Sequence, residues 1–171
     1  KGQFTRILVC NGQLHSDVFA PEKRLESISA EAMSALFQIN TIVPMLWLRA
    51  LLPLARGSSH CTFVLFSARV GSISDNRLGG WYSYRSSKAA LNMLIKTAAI
   101  EYARRAKNVK LIAFHPGTTD TPLSKPFQNN VPEKKLFSPE FVAQRLLAIC
   151  QRSEIDGEAA FIDWDENKVD W

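Results

Sequence analysis

Tyr84 and Lys88, in Tyr84-Arg85-Ser86-Ser87-Lys88, are the residues of this chain whose types and spacing could do chemistry. On a helix, residues four apart share one face, about one turn from each other. A lysine ammonium beside a phenol favours the phenolate, which lowers the tyrosine pKa from its ordinary value of about 10. A phenol tuned towards neutrality can give a proton to a carbonyl oxygen or take one from an alcohol. Taken alone, Tyr-x-x-x-Lys is a weak signal, and the plain alternative is a packed Tyr84 beside a solvated Lys88. The context changes that balance. An apolar run, Cys61-Thr-Phe-Val-Leu-Phe66, ends in Ser67 before the pair. A second run, Val109-Lys-Leu-Ile-Ala-Phe114, follows it and leads into His115-Pro116-Gly117-Thr118-Thr119-Asp120-Thr121.

The elements that must hold these residues alternate between strand and helix. Arg6 to Cys10 reads as a strand ending at Asn11-Gly12, and Ser16 to Ser27 as an irregular loop. Ser29 is a helix N-cap with Glu31 in the first turn. Apolar residues then recur at helical spacing at Ala32, Leu36, Ile39, Val43, Leu46, Ala50 and Leu54. Cys61 to Phe66 has the unbroken apolarity of a strand buried on both faces. Tyr82 to Arg105 reads as a helix, with Ala89, Ala90, Met93, Leu94 and Ala98 on one side, and Val109 to Phe114 as a strand. Thr118 to Phe137 is a long loop with Pro122, Pro126 and Pro132. Ser138-Pro139-Glu140 opens a helix to about Cys150, and Ala159 to Ile162 is a last strand.

Strand and helix in alternation predict an α/β fold, a Rossmann-like doubly wound parallel sheet, in one domain over residues 1–171. Ligands of such sheets bind beyond the carboxyl ends of the strands. Asn11-Gly12, Ser67 and Pro116-Gly117 each lie just past a predicted strand end, so the chemistry-bearing residues converge on one edge.

In this order, with Asn40 upstream, the chain resembles the short-chain dehydrogenase/reductase family, most closely its C-factor-like and carbonyl-reductase-like branch. The resemblance begins at the fourth strand of the family fold and runs to the C-terminus. It implies an NAD(P)-dependent oxidoreductase moving a hydride between nicotinamide and a carbonyl or secondary alcohol. By resemblance, Tyr84 is the acid/base, and Lys88 is its electrostatic partner and a ligand of the nicotinamide ribose. Asn40 holds a water of the proton relay through its backbone; a mid-helix Asn making a local bond is the alternative. Asn11 and Gly12 line the adenosine side. Pro116, Gly117, Thr119 (backbone) and Thr121 (hydroxyl) hold the carboxamide, where a plain turn is the alternative. The family's catalytic serine falls at Ala68 when Ser67-Ala68-Arg69-Val70-Gly71-Ser72 is aligned on Gly71, so Ser67 or Ser72 would have to supply the hydroxyl. That departure motivates a second reading, a dinucleotide-binding signalling or sensor protein with little turnover.

The family's Gly-rich dinucleotide turn matches nothing here. Three strands with their helices, on the order of 60–80 residues at roughly 30 per βαβ unit, are expected upstream in a longer chain. The 171 residues alone are expected to leave a sheet edge exposed and to be inactive. NAD and NADP both remain open as cofactor. By resemblance, the helix from about Ala30 to Arg56 and the helix bearing Tyr84 form the interface of a homodimer or homotetramer; that they simply cover the sheet is the alternative.

Composition narrows the rest. The net charge is +5, from 21 Lys and Arg against 16 Asp and Glu, but the basic residues are scattered and not interleaved with aromatics. Nucleic-acid binding is therefore disfavoured. The most apolar stretch, Ile42 to Leu54, is interrupted by Pro44, Arg49 and Pro53, which argues against a membrane span. The three cysteines and three histidines show no metal-ligand spacing. Buried free thiols and no visible signal peptide point to the cytoplasm. Phe127 and Phe137 suggest an apolar lid over a small-molecule substrate; loop aromatics that simply pack are the alternative.

Overall fold

A computed structural model describes residues 4–171. Strands β1 (Arg6–Val9), β2 (Cys61–Phe66), β3 (Val109–His115) and β6 (Ala159–Asp163) form a sheet in the order β1-β2-β3-β6. All three pairings are parallel. The helices are α1 (Ala30–Phe37), α2 (Val43–Ala55), α3 (Tyr82–Arg105) and α4 (Pro139–Arg152). Alternate residues of each strand point to opposite faces. Cys61, Phe63 and Leu65 therefore join Leu48, Leu52, Leu91 and Ile95 beneath α2 and α3. Val64, Ile112 and Phe114 pack against Val142, Leu146 and Ile149 of α4. Burial on both faces is what the unbroken apolar run of β2 predicts. The parallel-sheet Rossmann-like α/β class is observed.

The helix after Ser29 differs from its expected course. Ser29 caps it as predicted, its hydroxyl accepting from Ala32 N–H at 3.1 Å. Between α1 and α2, however, Gln38–Ile42 is π-helical, with Val43 N–H reaching the Gln38 carbonyl. A π turn inserts one residue and shifts the helical phase. From the π turn onward the buried positions are Asn40, Thr41, Pro44, Leu48, Leu52 and Ala55. The stripe read at constant spacing, through Leu46, Ala50 and Leu54, is turned outward. Pro44, Arg49 and Pro53 do not interrupt the helix either. It runs from Ala30 to Ala55 and is long and apolar enough, by length and composition, to cross a membrane. In this fold its inner face is a wall of the sheet core.

Helix α3 is also rotated relative to its apolar signal. Met93 is exposed, while Tyr84, Ser87, Lys88, Leu91, Asn92, Ile95 and Ala98 face inward. The first half of the inward face is polar because it carries the site, so apolarity is a poor guide to it. The predicted loop 118–137 holds two 3₁₀ turns and a short parallel pairing of β4 (Thr118–Thr119) with β5 (Leu136–Phe137).

Candidate active site

Lys88 is the centre of the site. It is 2% exposed, and its ammonium donates to the Phe66 carbonyl at 2.8 Å, at the end of β2. Burial pulls its pKa down to about 8. Its nitrogen lies 5.9 Å from the centroid of the Tyr84 ring. A Cβ on Gly12 would stand 3.5 Å from Lys88 Nζ and 3.8 Å from Asn40 Oδ1, so the end of β1 closes over the amine. Gly71 brings in the turn after β2: a Cβ there would sit 2.7 Å from Lys88 Cβ, a distance real atoms do not tolerate. The segments after β1 and β2 thus meet at one lysine of α3.

Asn40 fastens this arrangement. Its side chain is fully buried; it accepts from Gln13 N–H at 2.8 Å and donates to the Gln13 carbonyl at 2.8 Å. A further donation at 3.1 Å reaches Ser87 Oγ, and Thr41 Oγ1 donates to the Ser87 carbonyl at 2.8 Å. The π turn frees main-chain groups as well. Pro44 has no N–H, so it satisfies neither the Ile39 carbonyl in π register nor the Asn40 carbonyl in α register. Asn11 Nδ2 takes up the first, at 2.6 Å.

Two expectations fail here. Lys88 was expected to lower the Tyr84 pKa; instead burial pushes the phenol up, because desolvation penalises the phenolate. Ser67 was expected to offer a hydroxyl to substrate. It is buried and donates to Asn92 Oδ1 at 2.6 Å, while Asn92 Nδ2 bonds the Gly71 carbonyl at 3.3 Å. The Ser72 hydroxyl accepts from Asp75 N–H at 3.2 Å. The group beside Tyr84 is the methyl of Ala68, in an apolar cluster with Leu14 and Leu36. The surrounding wall is Trp81, Leu123 and Phe127.

The loop after β3 divides. Leu123 reaches the Gly12 position, and the Pro122 carbonyl is 3.2 Å from His15 Nε2. Pro116 and Gly117 shape the turn: Gly117 has φ 73° and faces Phe137 and Trp164, whose atoms would lie within 3 Å of a Cβ. The Thr119 carbonyl is taken by Ser124 Oγ at 2.5 Å, and Thr121 Oγ1 lies 3.4 Å from the same oxygen. The free group of Thr119 is its hydroxyl. Among the described residues, the buried side-chain polar atoms without a partner are Asn11 Oδ1, His115 Nδ1 and Thr119 Oγ1. His115 is held neutral, its pKa pulled down to about 4 by burial against the opposing charge of Asp163. All three residues stand at or just past the carboxyl ends of β1 and β3, where this sheet class takes its ligand.

A family model for short chain dehydrogenases matches residues 6–132. The chain belongs to the short-chain dehydrogenase family. It is 34% identical over 121 residues to the 1-hydroxy-2-glutathionyl-2-methyl-3-butene dehydrogenase of Rhodococcus sp. (strain AD45), covering 71% of this chain and 50% of that protein. It is 28% identical over 139 residues to the C-signal of Myxococcus xanthus, covering 81% of this chain and 78% of the relative. It is 28% identical over 163 residues to the (S)-benzoin-forming benzil reductase of Bacillus cereus, covering 84% and 63%. The fold superposes on a short-chain dehydrogenase/reductase from Burkholderia multivorans with bound NADP (TM-score 0.81, 22% identity, 99% of this chain and 68% of the other). It also superposes on the NADPH-bound carbonyl reductase from chicken fatty liver (TM-score 0.79, 24% identity, 99% and 67%). The chain therefore spans between half and about four-fifths of the length of these proteins.

Read as a short-chain dehydrogenase, the site contains residues that motif spacing passed over. Asn92 sits one helical turn beyond Lys88 on the same face, a signal that i, i+4 spacing carried. Ser87 lies inside the Tyr-x-x-x-Lys motif. Gln13 acts only through its main chain, and Glu22 lies 61 residues from the helix it contacts, so neither is visible locally.

Proposed function

We propose that this chain is the catalytic part of an NAD(P)-dependent reductase that converts a small-molecule ketone or aldehyde to an alcohol. The observation that carries the reading is the buried Lys88 ammonium, bonded to Phe66 and enclosed by Gly12, Asn40 and Tyr84. An ammonium has three donors, and Lys88 spends one on protein among the described residues. The other two suit the hydroxyls of a ribose. Asn11 Oδ1 and Thr119 Oγ1, buried and unpartnered, suit the polar edge of the same dinucleotide. When bound, the nicotinamide supplies or accepts the hydride.

The protein's own part is proton transfer and orientation. Tyr84 gives its proton to the carbonyl oxygen as the carbonyl carbon is reduced, yielding the alcohol. A phenol whose pKa is raised by burial holds its proton until an oxygen more basic than itself develops, which favours the reductive direction. Lys88 stabilises the phenolate left behind. The Asn40 carbonyl, beyond the reach of Pro44, is an acceptor for a water that passes solvent protons towards Lys88.

Around Tyr84 the wall is apolar and aromatic, which supports a substrate with an apolar body. Two relatives are benzil reductases, and that supports the same class. The exposed Leu46, Trp47, Met93 and Ile100 on α2 and α3 support a homo-oligomer formed through these helices. All three cysteines are free, Cys61 and Cys150 buried as expected and Cys10 exposed instead, which supports a reducing, cytoplasmic setting. The test is reduction of benzil and of simple ketones by the natural full-length protein, with NADPH and NADH in turn. Turnover that disappears in Tyr84→Phe is expected; turnover that survives it undoes the reading.

Ala68 favours a second reading. With no hydroxyl there, the Ser67 hydroxyl donated to Asn92 and the Ser72 oxygen accepting from Asp75 N–H, the protein binds a dinucleotide and turns over slowly, as a sensor or signal. Tight dinucleotide binding with turnover below about 1 per minute for every carbonyl tested would favour it over the reductase, far under the usual ~1–10³ per second.

A further inference from the structure

Helix α3 begins without a capping side chain of its own. Its N-cap is Trp81, whose indole accepts no hydrogen bond. Gly79, Gly80 and Trp81 are all left-handed, with φ of 63°, 64° and 52°. Two glycines accept this freely; a tryptophan does not, and such strain persists only where neighbours enforce it. The enforcing residue is Glu22. Its carbonyl accepts from Trp81 N–H at 2.6 Å. Its carboxylate accepts from Ser83 N–H at 3.2 Å and from the Ser83 hydroxyl. Glu22 is 4% exposed, and no ion pair among the described residues includes it. Its charge is met by the amino end of a 24-residue helix.

A Ser or Asp at position 81 would cap the helix without burying a distant carboxylate. What only the present arrangement provides is an indole at that position. The Trp81 ring stands 6.3 Å from Tyr84 at 75°, and on its other contact 5.1 Å from Phe127 at 58°. Phe127 belongs to the loop after β3 and has His15 against it at 5.8 Å. An aromatic face therefore lies next to the Tyr84 ring, covered by a ring carried on a surface loop.

We propose that Trp81 is the wall on which a planar aryl group of the carbonyl substrate stacks, that Phe127 covers this wall until substrate displaces it, and that Glu22 is the positioning residue holding the wall beside Tyr84. Offset or edge contact between such rings contributes beyond their area, which makes the site selective for aryl over aliphatic carbonyls. The inference rests on the reductase reading for the carbonyl and goes beyond it in naming the aryl group and the residues that recognise it.

The probe is benzil, measured by equilibrium dialysis with the natural full-length protein and by steady-state reduction beside cyclohexanone. Trp81→Leu is expected to weaken benzil binding at least tenfold, and Trp81→Phe less than threefold. Glu22→Ala is expected to lower the benzil-to-cyclohexanone preference in kcat/KM about tenfold, mostly through the KM for benzil. Glu22→Gln keeps the acceptor for Ser83 and should recover the preference to within threefold. If Glu22→Ala does not fold, Ser83→Ala, which removes one of the two carboxylate contacts, should still cost about threefold in preference. Benzil affinity unchanged in Trp81→Leu, or equal losses for both ketones in Glu22→Ala, overturns the proposal, as does absence of benzil binding to the wild type. Saturable benzil binding, weakened in Trp81→Leu, without reduction by NADPH or NADH would leave the wall standing and remove the reductase.

Discussion

The two flanks of Tyr84 are built differently. On the Lys88 flank, polar groups are interlocked: Asn40 grips Gln13 and Ser87, and Lys88 holds Phe66. On the Ala68 flank there is a methyl group, an apolar wall and two serines whose hydroxyls are engaged elsewhere. On the proposed reading, the first flank is the one that would meet the nicotinamide ribose and relay a proton. The second carries a methyl group at position 68, where the family resemblance calls for a hydroxyl. A site can keep its cofactor geometry while losing transition-state stabilisation, because separate side chains on separate elements supply the two.

The largest expected effect sharpens the first flank. Tyr84→Phe in the full-length protein should lower kcat by roughly 10³-fold or more, within the range for a lost general acid, with dinucleotide affinity unchanged within a few fold. A loss under tenfold in single-turnover assays would move the acid elsewhere. The second flank is probed by Ala68→Ser, which should raise kcat by roughly 10²-fold, the scale of one oxyanion-type donor. No gain would mean that a main-chain group or water already fills the role.

Lys88 ties the flanks to stability. Its folded pKa, about 8, lies below its ordinary 10.5, so between those values the unfolded chain binds more protons than the folded one. Stability from this group therefore rises with pH across that window, by about 3 kcal/mol in all. Lys88→Met should remove that slope in denaturant titrations from pH 8 to 10.5; parallel curves for the two proteins would show that the ammonium is not buried as described. Asn40→Ala strands both Gln13 main-chain groups in a part-buried site and should cost about 1–3 kcal/mol, read from the urea midpoint. The smallest effect belongs to the lid. Phe127→Ala uncovers Trp81 and should lower the KM for benzil by a few fold, where an increase would make Phe127 part of the binding wall.

Much of this was legible along the chain. The strand limits of β2 and β3, the caps at Ser29 and Ser138, and the convergence of Gly12, Ser67 and Gly117 on one sheet edge followed from apolar runs and turn residues. The outward rotation of Leu46, Ala50 and Leu54 did not, because one inserted π residue leaves no mark in a hydrophobic repeat except the Pro44 that accompanies it. The inward face of α3 was obscured because Ser87, Lys88 and Asn92 are polar yet buried.

What the sequence determined by itself was the spacing of Tyr84 and Lys88 and the two-sided burial of the strands, since both depend only on local periodicity. Tertiary structure decided the sign of the Tyr84 shift, the fate of the Ser67 hydroxyl and the cap on α3. Desolvation, a buried hydrogen bond to Asn92 and a carboxylate arriving from Glu22 all depend on which distant residues share a space, and spacing along the chain does not specify that.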